Sequence, residues 1–119
     1  MRLSAKDLKD ILQKFIIMVN DNERVQKLIG RWSTTLLIWG RDIGKGFLLV
    51  IDKGKVVSIE EVSDKNSGKV KVISNKETLM NMFQGKENIA HLYLDGVVET
   101  YGSEKDQIIL DAVARLLWQ

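Results

Sequence analysis

The spacing of apolar residues changes at Thr34, and that change constrains the fold class more than any other feature of the chain. Before it, Leu8, Ile11, Leu12, Phe15, Ile16 and Val19 recur every three or four residues, the period of one helix face. Asn20-Asp21-Asn22 interrupts the pattern, and Val25, Leu28, Ile29 and Trp32 resume it as the apolar face of a second, shorter helix. From Thr34 onward the period is two, and segments 34–39, 47–51, 56–62 and 69–73 read as four strands. Proline is absent from all 119 residues, so Gly, Asn and Asp must make the turns and thereby mark them. They fall at 40–46, at Asp52-Lys53-Gly54-Lys55 and in the polar loop 63–68.

The remaining chain returns to helices. Ser4 with Asp7, and Ser74 with Glu77, have the spacing of capping boxes. Leu79, Met80, Met82 and Phe83 make an apolar helix face that stops at Gly85. Residues 88–94 predict a further short helix, Asp95-Gly96 a turn, and 97–101 a fifth strand ended by Gly102. Ser103 caps a last helix whose stripe is Ile108, Ile109, Ala112, Val113, Leu116 and Leu117. This order predicts one α+β domain over residues 1–119, with a mostly antiparallel five-stranded sheet and helices packed on one face. The four sequential strands are expected to pair antiparallel. Segment 47–51, apolar on both faces, is expected at the centre. Val57 and Ile59 are expected to face one side of the third strand and Ser58 and Glu60 the other, with Val70 and Val72 inward on the fourth.

Reactive chemistry is sparse. There is no cysteine and one histidine, which removes disulfides, thiolate nucleophiles and His-rich metal sites, and no metal or cofactor is expected. His91, between Ala90 and Leu92, reads as structural or surface. Glu60 and Glu61 are strand neighbours, so their carboxylates point to opposite faces and cannot act as a pair. Gly44-Lys45-Gly46 lacks the further glycines of a phosphate loop. A non-enzymatic protein is the expectation. Lys65, Lys69 and Lys71 with Trp39 and Tyr101 hold the ingredients of a nucleic-acid surface, but a net charge of +2 is too small for one. They read as a solvated strand face, and no nucleic-acid partner is expected. The charged N-terminus MRLSAKDLKD is not a secretory leader, and no apolar run approaches a membrane span, so the expected location is the cytoplasm.

What stands out is aliphatic surface. The pattern of SNKETLMNMFQGK followed by LYLDGVVETYGSEKDQIILDAVARLL resembles the sterol carrier protein 2 (sterol-transfer) family. The residues that carry the resemblance are Ser74, Leu79, Phe83, Gly85, Lys86, Gly96, Gly102 and the stripe 108–117. Upstream, FLLVIDKGKVVSIEE is similar to the family's paired strands with their turn at Gly54.

The resemblance implies an apolar tunnel between sheet and helices that binds fatty acids, fatty acyl-CoA, phospholipids or sterols without covalent chemistry. Its implied wall is Phe15, Ile16, Val19, Phe47, Leu49, Val57, Ile59, Val70, Val72, Leu79, Met82, Phe83, Ile109, Val113 and Leu116. A lipid head group would lie near Lys45, Lys86 or Arg115, and Glu99 either faces water or constrains that group. The ending Trp118-Gln119 is not the peroxisomal Ser-Lys-Leu address, which argues against peroxisomal import. A linear acyl chain fits at least as well as a sterol. The alternative is a protein-interaction or dimerisation module with a collapsed tunnel, in which Leu116-Leu117-Trp118 docks a partner or a second copy. Transient membrane contact and a homodimer both stay open.

Overall fold

The computed structural model describes residues 5–118. Helix α1 (Lys6–Asp21) buries Leu8, Leu12, Phe15 and Val19, one stripe at helical spacing. The predicted cap at Ser4 lies outside the described residues. Asn22 then leaves helical backbone at ψ 113°, and its Oδ1 accepts from the Val25 N–H. The residue that breaks α1 therefore caps α2 (Glu23–Ile29). Leu28, expected on the buried face, is exposed; this short helix buries only Val25 and Ile29.

Five strands follow: β1 (Thr34–Gly40), β2 (Lys45–Asp52), β3 (Lys55–Val62), β4 (Val70–Ser74) and β5 (Glu99–Tyr101). They form a sheet in the order β3-β2-β1-β4-β5. Three of its pairs are antiparallel, but β4 runs parallel to β1, Leu36 opposite Val70 and Ile38 opposite Val72. This corrects the expected run of four antiparallel strands. The 63–69 connection does not turn back beside β3. It crosses the face away from the helices, where Gly68 rests on the side chains of Leu37 and Leu48, and enters β4 on the far side of β1. The central strand is consequently β1, whose Leu36, Leu37, Ile38 and Trp39 are all buried, and not β2.

A second correction concerns β3. Ile51 pairs with Val56 and Val50 with Ser58, so Val57 is the extra residue of a bulge. Val56 takes the inward place and Val57 is 60% exposed. The Asn20 side chain clamps this site, donating to the Val56 carbonyl at 3.0 Å and accepting from its N–H at 2.9 Å.

Helices α3 (Lys76–Met82), α4 (Ile89–Leu94) and α5 (Glu104–Trp118) complete the chain. Ser74 does not cap α3. It is buried at the end of β4, and its Oγ donates to the Val97 carbonyl at 2.7 Å, while Asp42 Oδ1 accepts from the Lys76 N–H. Ser103 does cap α5, accepting from the Asp106 N–H. Lys76 Nζ lies 3.0 Å from Asp7 Oδ2 and ties α3 to α1; this hydrogen bond holds the Asp7 carboxyl below its ordinary value. The inner sheet face and the buried sides of α1, α2, α3 and α5 share one apolar core. Among the described residues, no helix is long and apolar enough to cross a membrane.

Candidate functional site: an apolar groove over a closed crevice

Between sheet and helices the core leaves a crevice of about 10 Å³, lined only by apolar contacts. That is about the space of one water. Among the described residues, this crevice is far smaller than the tunnel that the resemblance implies. Four of the expected wall residues, Phe15, Val19, Leu49 and Val113, line the crevice. Phe47, Val70, Val72, Leu79, Met82 and Phe83 are buried in the core around it, and Ile16, Ile59, Ile109 and Leu116 pack against that core half-buried. Val57 is excluded by the bulge. Ile29, Trp32, Leu36, Ile51, Val56 and Leu110 also line the crevice and are not among the expected wall.

The Trp32 indole N–H donates to Asp106 Oδ1 at 2.8 Å, so it is satisfied. The Thr34 hydroxyl, on the same face of β1 as Leu36, is buried and finds no hydrogen-bond partner among the described residues. An unpaired buried hydroxyl costs about 1–3 kcal/mol. Thr34→Val is therefore expected to raise stability by about 1 kcal/mol in urea denaturation. An unchanged or lowered midpoint would mean that the hydroxyl is bonded in solution.

Above the crevice, α4, β5 and α5 enclose a surface groove of about 370 Å³, lined by Ala90, Tyr93, Leu94, Thr100, Gln107, Leu110 and Asp111. Its polar walls are engaged with each other: Thr100 Oγ1 lies 2.7 Å from Gln107 Oε1, and Gln107 Nε2 donates to the Gly102 carbonyl. Leu110 lines both the groove and the crevice. Leu94 is 79% exposed on the rim, with Tyr93 and Ile108 also exposed. The expected buried stripe of α5 includes Ile108 and omits Leu110; the structure reverses both. The run Ile108-Ile109-Leu110 is apolar throughout, so periodicity alone does not fix which of the three turns inward.

A second, polar groove of about 400 Å³ adjoins the first through Ala90 and Asp111. It contains two of the three cations considered for a head group, Lys86 and Arg115, balanced by Glu87 and Asp111. Arg115 Nε is 3.0 Å from Asp111 Oδ2. Lys45 lies outside both grooves. Glu99 is on the other face of β5, 3.6 Å from Arg41, and so does not constrain a group bound here. Trp118 also lines this polar groove. Its ring lies over Gly85, where a Cβ would sit 2.4 Å from Cγ, and stacks on Phe15 at 5.9 Å. Phe15 meets Phe83 edge-on at 4.9 Å. The tip Leu116-Leu117-Trp118, expected in the alternative reading to dock a partner, packs half-buried against its own core. His91 is exposed on α4, and among the described residues no group of three or more His, Cys, Asp or Glu side chains could hold a metal ion.

These features define an α+β domain with one five-stranded sheet, helices on one side, and an apolar groove leading toward the interface between them. The architecture is that of sterol carrier protein 2. The chain superposes on a crystal structure of sterol carrier protein 2 with a TM-score of 0.70, covering 92% of this chain and 95% of that one at 11% identity. A ubiquinone synthesis protein, UbiJ-SCP2, matches with a TM-score of 0.70 at 14% identity, covering 96% and 99%. A Thermus thermophilus protein described as possibly sterol carrier protein matches with a TM-score of 0.68 at 15% identity, covering 91% and 81%. No protein-family model and no curated protein sequence matches the chain. At these identities the likeness establishes the fold.

Proposed function

We propose that this protein binds a single-chain amphipathic lipid without chemical conversion, its tail entering through the groove between α4 and α5. The observation that supports the reading best is the double position of Leu110, on the groove wall and on the crevice wall. A rotamer change at Leu110 would be the step that opens the groove toward the crevice, and rotamer changes are fast beside backbone motion. Such a passage would be narrow. It favours a linear hydrocarbon over the fused rings of a sterol. The groove volume falls at the lower end of the roughly 300–1,000 Å³ of small-molecule sites. Each buried methylene contributes about 0.8 kcal/mol, partly offset by ordering of the tail. The polar groove takes the head group. Its two cations and two acids suit a zwitterionic or neutral polar head better than a bare carboxylate. Exposed Leu94 and Tyr93 on the groove wall, with exposed Ile108 on α5, would touch a membrane during exchange.

Displacement of a fluorescent fatty acid tests this. Dodecanoic acid and a lysophosphatidylcholine are expected to compete, and cholesterol to compete poorly. Leu94→Asp changes an exposed residue, so folding should survive while uptake weakens about tenfold or more, the loss of a few buried methylenes. Unchanged uptake in that variant would remove the groove from the path, and no uptake by the parent chain would remove the function.

The closed crevice and the exposed rim favour a second reading, in which Leu94, Tyr93 and Ile108 pair with a second copy of the chain. A dimer in sedimentation equilibrium that Leu94→Asp dissociates, in protein that takes up no lipid, would select it.

A further inference from the structure

The face of the sheet away from the helices carries its own concavity. It measures about 570 Å³, larger than either groove on the helix side. Register builds it. One row across the sheet reads Trp39, Ile73, Glu99, and the next reads Leu37, Lys71, Tyr101. Neighbours in a row have Cβ atoms about 5 Å apart. The crossing connection supplies Lys65 and Asn66, and the β1–β2 turn supplies Arg41 and Gly44. The residues that read in sequence as a scattered solvated face therefore converge. Of that set, only Lys69 lies outside the concavity.

Charge and ring chemistry restrict the occupant. Arg41 is engaged by Glu99 at 3.6 Å and by the Val97 carbonyl at 3.3 Å. Lys65 and Lys71 have no acidic partner within 4.0 Å among the described residues. The lining thus holds an uncompensated charge of two cations. Trp39 is 7% exposed, and its indole N–H bonds no protein atom among the described residues and is open to solvent. Tyr101 stands half-exposed on the opposite rim. Aromatic surface, a solvent-open indole donor and two ammonium groups without an acidic partner together match a flat ring carrying an anion.

We propose that this outer-face concavity binds a nucleoside phosphate, the base against Trp39, Ile73 and Tyr101 and the phosphate at Lys65 and Lys71. The site is independent of the lipid groove, since the sheet lies between them. A single concavity suits one nucleotide, whereas a nucleic-acid strand needs a basic track that a net charge of +2 does not supply.

Amide chemical-shift titration separates the outcomes, with adenosine monophosphate, adenosine, inorganic phosphate and a short oligoadenylate as probes. Adenosine monophosphate is expected to bind saturably at about 1 mM or below and to move Gly44, Asn66, Lys71 and Tyr101 while leaving Leu94 and Leu110 in place. Lys65→Gln and Lys71→Gln alter surface side chains, and each should weaken binding about tenfold, the loss of one charge-assisted contact. Four results overturn the proposal. These are no saturable shifts, phosphate binding as well as the nucleotide, wild-type affinity in both folded lysine variants, or affinity that climbs with oligonucleotide length.

Discussion

Gly54→Ala is expected to cost about 3 kcal/mol of folding stability, read as a lowered urea midpoint at unchanged slope. Two independent effects add there. Lys53 and Gly54 both adopt positive φ, 49° and 82°, as the two-residue turn between β2 and β3 requires. A Cβ in left-handed backbone costs about 1–2 kcal/mol. The same Cβ would also lie 2.7 Å from the Ile29 carbonyl oxygen and 2.9 Å from Gly30 Cα, and backbone cannot swing aside as a side chain can. Overpacking of that kind adds about 1–3 kcal/mol. The Gly54 N–H donates to the Trp32 carbonyl, and its own carbonyl accepts from Gln26 Nε2, so the clash loosens the seat of α2 on the hairpin. Ile29, Trp32, Ile51 and Val56 all meet the crevice at that seat. Gly54→Ala should therefore widen the crevice as well as destabilise the fold. A loss below about 1 kcal/mol would show that the hairpin and α2 are not held together through Gly54.

Phe47→Ala is expected to cost about 3–5 kcal/mol, the range for emptying a buried phenylalanine site. Phe47 is fully buried on β2, opposite Ile38 of the central strand, with covalent neighbours already fixed in the sheet. Strands held on both sides relax little into a void, so the upper half of the range applies. Thermal or chemical denaturation measures it, and a loss under about 2 kcal/mol would mean that the core collapses around the gap. The variant separates core from site. Phe47 belongs to the core but lines neither the crevice nor the groove, so lipid uptake by the folded fraction should be retained.

Much of the fold is legible in the sequence because it depends on near neighbours along the chain. The α1 stripe, the Asn22 break, the turn at Gly54 and the stop at Gly85 rest on local periodicity, capping and positive φ. The differences are as informative. Strict alternation places Val57 inward and gives no warning of a bulge, which is set by how β3 meets β2 and Asn20. The spacing of Ser74 to Glu77 assigns that serine to α3, but burial beside Val97 turns its hydroxyl the other way. Periodicity selects Ile108 over Leu110 because three adjacent aliphatics leave the phase of α5 to packing. The head-group residues divide similarly: Lys86 and Arg115 meet at one groove, and Lys45 does not.

The chain by itself determined its class, its element order and the apolar character of its inner face, since each follows from interactions spanning a few residues. Tertiary structure alone decided that β4 runs parallel to β1 and that Leu110 meets both groove and crevice. It also decided that Trp39, Lys65, Lys71 and Tyr101 share one hollow. Those outcomes depend on strand register and helix phase between segments far apart along the chain, and the energy that selects them exists only once the segments have packed together.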